Sequence, residues 1–395
     1  MKNKNGFNLF SIIIIMVITS IASGITVGVI LTNNYKDNLG ISYEALQSDE
    51  KLNEFIELYA SIINDYYEDI NTEEMIDSAV DGMLKYLDES YTTYLNKAET
   101  EDLEERLSGY YKGIGIAIQD KVIISITENT PAASSGLQVN DLIVAINNID
   151  VSEKTNGEIT QMIKKSDEDS VLITVARGEK KLSFDVEITS VPLASISYEM
   201  LENNIGLLII DTFSATLEDQ VKKALSEFES QGMEKLIIDL RYNTGGYLDS
   251  AEQVASLFLK EGKLIYTLES KEEKTDVYDK TKEYRDYPIV IIINDSTASA
   301  AEVLAAALKD NNGAVFVGEK SFGKGKVQQT YTLGDGSMAK YTSAKWLRPN
   351  GECIDGIGLI PDYNATMTMT YDDQGVITST IDTQLSKAIE VISAM

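Results

Sequence analysis

Two segments of the chain carry side chains that could perform covalent chemistry. The first is a run of small and hydroxyl-bearing residues, Ser296–Glu302 (Ser-Thr-Ala-Ser-Ala-Ala-Glu), which follows the apolar segment Ile289–Ile293. A serine hydroxyl at the turn from a strand into a helix lies beside helix N-terminal N–H groups that can stabilise an oxyanion. The same place suits a helix N-cap, a role for which Ser296 and Thr297 compete. The run therefore predicts either a nucleophile or a helix cap.

The second segment contains a lysine in an unusual setting. Lys324 lies directly between Gly323 and Gly325, within a stretch that also holds Lys320 and Lys326. Bare backbone on both sides of a lysine favours a tight, shaped site, although the composition by itself is more typical of a mobile loop. A phosphate-binding loop is a further alternative, but the Gly-x-x-x-x-Gly-Lys-Ser/Thr pattern is missing.

Composition restricts the catalytic groups that the chain can use. None of its 395 residues is histidine, which excludes Ser-His-Asp, Cys-His and histidine–metal mechanisms. The single cysteine, Cys353, excludes an internal disulfide, a thiolate zinc cluster and an iron–sulfur cluster, and we interpret it as an inert thiol. The general base of any hydrolase must therefore be Lys, Asp, Glu, Tyr or a terminal amine. We expect neither a metal nor a cofactor.

The charge balance excludes a further class of function. Lys and Arg number 34 against 63 Asp and Glu, which gives a net charge of −29. Nucleic-acid binding needs basic patches, so no nucleic-acid partner is expected, whereas strong acidity suits a self-repelling, soluble surface. The hydrophobic content of 43% and the charged content of 25% are typical of a globular protein.

The N-terminus predicts a membrane segment. Lys2 and Lys4 precede an uncharged stretch in which Phe7–Leu31 is mostly apolar. A helix needs about 20 apolar residues to span a bilayer, whereas a signal peptide has an apolar region of about 7–15 residues. Ser20–Ala22 is a conceivable cleavage site, but the length favours an uncleaved anchor. The two lysines would hold the N-terminus in the cytoplasm, which predicts a single-pass protein of the cell membrane with its catalytic part extracytoplasmic.

Hydrophobic periodicity divides the rest of the chain into regions. Apolar residues recur at intervals of three and four between Ser48 and Tyr66 and again after Asn71, which predicts two amphipathic helices. Short β-type runs follow, and from Ile205 onward apolar strands alternate with helices, which indicates an α/β layered domain. The predicted parts are an anchor at 1–36, a helical region at 45–108, a β-rich domain at 109–191, an α/β core at 192–365 and a C-terminal segment with a helix at 366–395.

The β-rich domain resembles a PDZ domain. The resemblance rests on Pro131–Leu137 (Pro-Ala-Ala-Ser-Ser-Gly-Leu) and on Asn140–Asn147, in which Asn140 takes the place of the usual glycine and preserves the left-handed turn. A PDZ domain binds an extended C-terminal peptide as an added strand and holds its carboxylate on backbone N–H groups. The carboxylate-binding loop of the family maps onto Gly113, Ile114, Gly115 and Ile116.

The α/β core carries several motifs in a shared order. They are Leu236–Gly246, Ser296–Glu302, Phe322–Gly325 with Val327-Gln328, and Gly356–Asp362, together with Met83, Leu87-Asp88 and Tyr94-Leu95 in the helical region. With the PDZ pattern they resemble the carboxyl-terminal processing peptidases, also called tail-specific proteases, which are PDZ-bearing serine proteases with a Ser-Lys dyad. The resemblance runs from Phe55 to Tyr363. It implies an α/β fold (α+β multidomain), with a crotonase/Clp-like layered protease core, an inserted PDZ domain and an N-terminal helical region.

The resemblance implies roles for particular residues. The nucleophile is Ser299, the general base is Lys324 and the third member of the site is Gln328. An even offset on an extended strand would place Lys324 and Gln328 on the same face. Lys326 would share that face, and the family motif, in which the base lies between two glycines, decides for Lys324.

The resemblance also implies an oxyanion hole. Its donors are the backbone N–H groups of Ala300 and Gly245, with Gly246 as the alternative to Gly245. We interpret Asp239 and Arg241 as structural residues that fix the turn presenting Gly245.

The implied chemistry requires an unusual lysine. A lysine amine has a pKa of about 10.4 and acts as a base at neutral pH only if that pKa lies about three units lower. Burial and nearby positive charge both act in that direction, and Lys320 and Lys326 are the candidate neighbours.

The expected function is that of a membrane-anchored serine endopeptidase. It would recognise the C-terminus of protein or peptide substrates through the PDZ domain, and its terminal helical segments could pair two copies into a homodimer. The alternative is a non-catalytic PDZ adaptor on a degenerate protease scaffold. The adaptor would have lost Ser299, Lys324 or Gln328, all of which are present. A lipid- or nucleotide-binding α/β protein is a third hypothesis, against which the missing phosphate loop argues.

Overall fold

The computed structural model describes residues 48–166, 169–371 and 377–395. The predicted anchor and the conceivable cleavage site at 1–36 lie outside these residues. No helix in the described ranges is long and apolar enough to cross a membrane. The described residues divide into two units, one that ends at Val80 and one that begins at Asp81.

The two amphipathic helices predicted near the N-terminus are confirmed. The elements up to the β-rich domain are α1 (Glu50–Asp65), α2 (Thr72–Tyr86), β1 (Thr93–Leu95), α3 (Lys97–Ser108) and β2 (Tyr110–Gly113). The Asp49 side chain caps α1 by accepting the N–H groups of Lys51 and Leu52. No side chain of α1 is fully buried, and several of its apolar residues, such as Phe55, are exposed.

The β-rich domain is a six-stranded antiparallel sheet with two helices. Its elements are β3 (Ile116–Gln119), β4 (Val122–Ile126), α4 (Pro131–Ser135), β5 (Leu142–Ile146), β6 (Ile149–Asp150), α5 (Asn156–Lys164), β7 (Ser170–Arg177) and β8 (Lys180–Glu187). The short β-type runs expected in this region are confirmed as strands. Asn140 adopts a φ of 74°, the left-handed turn expected from an asparagine in place of glycine. A core of branched aliphatic residues, including Ile123, Ile143 and Ile159, holds the sheet and α5 together.

The α/β core contains the remaining elements. They are β9 (Thr189–Pro192), β10 (Ile196–Leu201), a 3-10 turn (Glu202–Asn204), β11 (Ile205–Ile210), α6 (Leu217–Ser230), β12 (Lys235–Asp239), α7 (Leu248–Ser256), β13 (Leu264–Ser270), β14 (Lys274–Tyr278), β15 (Ile289–Ile293), α8 (Ala300–Asn312), β16 (Val315–Gly318), β17 (Lys326–Thr332), β18 (Met338–Leu347), β19 (Tyr363–Asn364), β20 (Thr368–Tyr371), β21 (Ile377–Ile381) and α9 (Thr383–Ser393).

The central sheet of this core has the strand order β10-β11-β12-β15-β16-β19. Its strands from β11 to β19 are parallel, and all five residues of β15 are buried, as the continuous apolar run predicts. One face packs against α6, α7 and α8, and the other packs against α9. The sheet is therefore the middle layer of a helix–strand–helix arrangement, and it ends near the serine-containing turn.

The C-terminal helix packs on its own chain. Ala388, Val391 and Ile392 of α9 are buried against the central sheet. This packing accounts for the amphipathic pattern from which we expected a dimerisation helix. The apolar face of α9 therefore carries no argument for a homodimer.

A second, antiparallel sheet has the order β1-β18-β13-β14, with β17 paired to β18. Lys324 lies just before β17, so this sheet supports the lysine-containing loop. Strand β1 comes from the segment after α2 and pairs with β18. That pairing brings a distant part of the chain to the lysine-containing loop.

Candidate active site

Ser299 lies at the turn between β15 and α8. Its φ of 58° and ψ of −120° place a non-glycine residue in a rarely populated region, a strain that is typical of functional turns. The expectation that Ser296 or Thr297 caps the helix is wrong, because Ser299 immediately precedes the first helical residue. Thr297 instead joins two strand ends, since its hydroxyl donates to the Leu240 carbonyl and accepts the Asn294 N–H.

A buried carboxylate connects the serine turn to the lysine loop. Glu302 is 0% exposed, and its Oε2 accepts the N–H groups of Ser299 and Lys324, each at 2.9 Å. Its Oε1 accepts the Gly323 N–H at 2.7 Å and the Ser321 hydroxyl at 2.5 Å. Burial raises the pKa of Glu302, and these hydrogen bonds oppose that rise. One side chain thus fixes the backbone of both predicted catalytic residues.

Sequence reasoning missed Glu302, although a signal was present. A Ser-x-x-Glu spacing at the start of a helix is that of a capping box. The Ser299 N–H donates to the Glu302 carboxylate as such a box requires. The same carboxylate also extends to a loop that is remote in sequence, which the spacing alone does not indicate.

The glycines on either side of Lys324 are required by close backbone contacts. A Cβ on Gly323 would lie 2.7 Å from the Gly358 nitrogen, and a Cβ on Gly325 would lie 2.7 Å from the Asp355 nitrogen. The Lys324 carbonyl accepts the indole N–H of Trp346 at 3.0 Å. The expectation of a tight, shaped loop is therefore confirmed.

The environment of the Lys324 amine lowers its pKa. Burial is the larger cause, and the positive charge of Lys340 is the second. We expected Lys320 or Lys326 to supply that charge. That expectation is wrong because the pairing of β17 with β18 brings Lys340 into the region, while the Lys326 ammonium contacts Glu89. The carboxylates of Glu89 and Glu302 act on the pKa in the opposite direction.

Lys324 Nζ lies over the ring of Tyr91, 4.8 Å from its centroid. Within the described ranges, no hydrogen bond joins this amine to the Ser299 hydroxyl or to Gln328. The structure therefore brings the backbones of Ser299 and Lys324 together through Glu302, without a direct contact between amine and hydroxyl.

Gln328 belongs to a different network. Its Nε2 donates to Thr342 Oγ1 at 3.4 Å, and Thr342 Oγ1 donates to Glu89 Oε2 at 2.7 Å. The same-face argument for Lys324 and Gln328 is wrong, because the strand begins only at Lys326 and its register shifts between Val327 and Gln328. The role of Gln328 remains a prediction from the family resemblance.

The predicted oxyanion donors lie beside Ser299. A Cβ on Gly245 would be 2.9 Å from Ser299 Cβ and 3.1 Å from the Ala300 nitrogen, so these backbones touch. The Gly245 N–H, however, donates to Asn243 Oδ1 at 2.8 Å. In the part of the chain that the structure describes, the N–H groups of Ala300 and Gly246 have no protein acceptor.

Asp239 and Arg241 join the central sheet to the C-terminal helix. The Arg241 guanidinium pairs with Asp239 at 2.6 Å and with Asp382, the N-cap of α9, at 2.8 Å. The Asp239 carboxylate also accepts the Arg241 N–H. These contacts agree with the structural role expected for the two residues.

The predicted peptide-binding loop borders a groove between β3 and α5. The groove is lined by Tyr111, Lys112, Gly113, Ile114, Gly115, Ile116, Ile118, Thr160, Ile163 and Lys164. Ile114 is buried in the domain core, and Gly115 has a φ of +91°. No local pattern indicated that the Tyr111 ring packs against Gly113, where a Cβ would lie 2.4 Å from the Tyr111 Cε2. Burial raises the pKa of the Tyr111 phenol, and a hydrogen bond with the Gly115 backbone opposes that rise.

Comparison with known proteins gives consistent matches. Residues 204–365 match the model of peptidase family S41, residues 98–188 match a PDZ domain, and residues 27–100 match the N-terminal domain of the activating protease CtpB. A probable CtpA-like serine protease of Staphylococcus epidermidis (strain ATCC 12228 / FDA PCI 1200) is 33% identical over 374 residues, which is 93% of this chain and 75% of the relative. A protein of the same description from Staphylococcus aureus (strain MRSA252) is 33% identical over 83% of this chain and 67% of its own length.

Among solved structures, the photosystem II D1 C-terminal processing protease is similar to 84% of this chain. The match covers 91% of that protein, with 23% sequence identity and a TM-score of 0.48.

Proposed function

The chain belongs to peptidase family S41, and from that premise we propose that it is a membrane-anchored endopeptidase with a Ser299–Lys324 catalytic dyad. It is a serine-type peptidase with a PDZ domain. The dyad, the anchor and the recognition of substrate C-termini are the proposed parts.

The main support for the dyad is the Glu302 carboxylate, which holds the backbones of Ser299 and Lys324 at 2.9 Å each. A lysine with a lowered pKa between two constrained glycines is the general base that a protein without histidine needs. The strained turn places Ser299, a half-buried residue, directly before the first helical N–H groups.

The proposed reaction follows acyl transfer through a serine. Neutral Lys324 takes the Ser299 hydroxyl proton while Oγ attacks the peptide carbonyl carbon, and the oxyanion forms beside the N–H of Ala300. The Lys324 ammonium then gives the proton to the leaving amine as the C–N bond breaks. Water hydrolyses the acyl-enzyme in a second, analogous step. The Lys324 side chain must reach Ser299 Oγ once substrate is bound, since catalytic hydrogen bonds are often formed only in that complex.

Substrate recognition is assigned to the groove between β3 and α5. A peptide would extend the sheet at β3, and its carboxylate would be held by the N–H groups of the Gly113–Ile116 loop. Tyr111 lies at this loop, so an incoming carboxylate and the Tyr111 hydroxyl would compete for the Gly115 N–H.

The anchor and the location are proposed from the sequence of residues 1–36. The full chain and a variant lacking residues 1–36 should separate into membrane and soluble fractions, respectively. Protease added to intact cells should digest the anchored protein. Protection from that protease would contradict the extracytoplasmic location.

The dyad is tested with the purified full chain in detergent and an unfolded protein substrate. We expect the wild type to cleave and both Ser299→Ala and Lys324→Ala to show no detectable cleavage. Lys320→Ala is the matched control, since its exposed side chain lies in the same loop region, and it should cleave normally. Full activity of Lys324→Ala would contradict the dyad. A wild type that binds C-terminal peptides and cleaves nothing would favour the adaptor alternative.

A further inference from the structure

The Lys324 amine is covered by an aromatic ring from a distant segment. Lys324 Nζ lies 4.8 Å from the centroid of the Tyr91 ring, and Lys326 Nζ lies 5.8 Å from it. The ring also meets Phe322 edge-on, with centroids 6.5 Å apart. Tyr91 therefore packs on both the amine and the loop that carries it.

The backbone around Tyr91 is fixed to the second sheet. Strand β1 pairs with β18, and the Thr342 N–H of β18 donates to Thr92 Oγ1 at 3.2 Å. On the other side of Tyr91, the Glu89 carboxylate accepts the Thr342 hydroxyl at 2.7 Å. These contacts hold the segment that carries Tyr91 against β18, the strand that pairs with β17, as a positioning residue requires.

We propose that Tyr91 is a positioning residue for Lys324, whose ring face directs the amine and stabilises the ammonium formed when Lys324 takes the Ser299 proton. The inference rests on the proposed dyad. The proton moves from Ser299 Oγ to Lys324 Nζ and then to the leaving amine, so the ring participates in no bond change. Its contribution is electrostatic, because the ring face attracts a cation.

An aromatic ring suits this task better than a carboxylate. A carboxylate against Nζ would favour the ammonium so strongly that Lys324 would stay protonated in the free enzyme. A ring face attracts the ammonium more weakly, which leaves neutral lysine accessible before the reaction and supports the cation after proton transfer. The hydroxyl of Tyr91 is not needed for this effect, so phenylalanine should replace tyrosine.

Several charged or titratable groups face Lys324 and must be considered together. They are Lys340 of β18, Lys326 of β17, Glu302 of α8, Glu89 and Tyr91 of the segment before β1, and Asp355 beside the loop. Replacing Tyr91 by an uncharged residue leaves the other five groups of this set in place. A change in the titration of Lys324 can therefore be ascribed to the ring.

The test compares Tyr91→Phe with Tyr91→Leu in kcat and in the pH dependence of kcat/KM. Tyr91→Phe keeps the ring face and should stay within about twofold of the wild type at every pH. Tyr91→Leu keeps apolar bulk without the ring face. It should lower kcat about three- to tenfold and move the acid limb about half to one pH unit lower, because the ammonium loses a stabilising partner.

Two measurements and one control variant guard against a merely structural effect. Thermal unfolding of both variants establishes that they fold. Tyr284→Leu is the matched control, since it removes a lysine–tyrosine contact of the same kind, at 5.1 Å from Lys260, and should leave the pH profile unmoved. In the Ser299→Ala background, the pH dependence of Lys324 acetylation by acetic anhydride, followed by mass spectrometry, should show the same downward shift for Tyr91→Leu.

The inference is overturned if the acid limb of Tyr91→Leu stays in place or moves to higher pH. The latter result would mean that the ring acts by excluding water. It is equally overturned if Tyr91→Phe loses as much activity as Tyr91→Leu, because the hydroxyl would then be the active group. If Lys324→Ala cleaves normally in the same assay, the dyad itself fails. If Lys324→Ala is inactive while Tyr91→Leu matches the wild type, only the role of Tyr91 fails.

Discussion

The serine half and the lysine half of the candidate site are built in different ways. Ser299 follows a strand that is buried along its whole length, and its N–H is bound by a glutamate only three residues later. Lys324 precedes an edge strand of an antiparallel sheet, and its amine faces Tyr91, a residue from the segment before that sheet. The serine is thus placed by local, rigid backbone, whereas the lysine is placed by distant pairing. Changes to the residues around the Lys324 amine should therefore adjust activity, whereas changes to the backbone around Ser299 should reduce it severely.

The largest effect is expected where the two halves meet. Glu302→Ala leaves the buried N–H groups of Ser299, Gly323 and Lys324 without their acceptor, which should lower the free energy of unfolding by about 3 kcal/mol and remove detectable cleavage. Denaturant titration and the cleavage assay measure the two effects. Glu302→Gln is the matched control, since it keeps the shape of the side chain and one acceptor oxygen. Its stability and its cleavage rate should fall between those of the wild type and Glu302→Ala. Cleavage by Glu302→Ala above a tenth of the wild-type rate would mean that the two halves are positioned independently.

On the serine side, Gly245→Ala should reduce kcat/KM at least about a hundredfold. The new Cβ would lie 2.9 Å from Ser299 Cβ at a φ of +103°, so the nucleophile must shift. Gly262→Ala is the control, because Gly262 also has a positive φ of +83° but has nothing within 4 Å of a Cβ. It should lose some stability and keep its activity. Equal losses of activity in both variants would assign the effect to backbone strain.

On the lysine side, Lys340→Gln should shift the pH dependence of kcat/KM without abolishing cleavage. The positive charge of Lys340 helps to lower the pKa of Lys324, so its loss raises that pKa. Lys324 acts as a base only when neutral, so the acid limb of kcat/KM should move to higher pH. A plot of kcat/KM against pH measures the shift. A limb that moves to lower pH would contradict the sign of this interaction.

The smallest effect on the chemistry is expected in the PDZ domain, away from both halves. A Cβ on Gly115 would lie 2.3 Å from Thr130 Oγ1 at a φ of +91°, so Gly115→Ala should distort the peptide-binding loop. We expect about a tenfold loss of affinity for peptides with a free C-terminus, measured by fluorescence anisotropy, and unchanged cleavage of short C-terminally amidated substrates. Gly178→Ala, at a φ of +62° with open space around it, should bind normally. Equal binding by both variants would exclude the loop from recognition.

The serine half was the more predictable from sequence for a physical reason. A buried parallel strand requires a continuous apolar run, and Ile289–Ile293 is such a run, observed as a strand with the same bounds. The sharp turn after this strand needs small residues, and Ser296–Glu302 contains several of them. Constraints of this kind act on residues that are adjacent in the chain, so they leave a pattern that can be recognised in the sequence. Only the choice of Ser299 among the hydroxyl residues needed the family resemblance.

The lysine half was less predictable because it depends on strand pairing. Glycines on both sides of Lys324 indicated a tight loop, but nothing local pointed to Tyr91, Lys340 or Thr342. Those residues reach the site through the pairing of β1 and β17 with β18. The register shift between Val327 and Gln328 likewise has no local signature, and it invalidates the alternation argument for Gln328. Partners that depend on register between distant strands cannot be derived from spacing.

The central claim, that Ser299 is acylated with the help of Lys324, is tested most directly by trapping the acyl-enzyme. The full chain in detergent is mixed with a peptide ester, quenched at short times and analysed by peptide mass spectrometry. We predict an acyl group on Ser299 in the wild type, none in Ser299→Ala, and formation at least about a hundredfold slower in Lys324→Ala. An acyl group on another residue, or acylation of Ser299 at the wild-type rate without Lys324, would contradict the account.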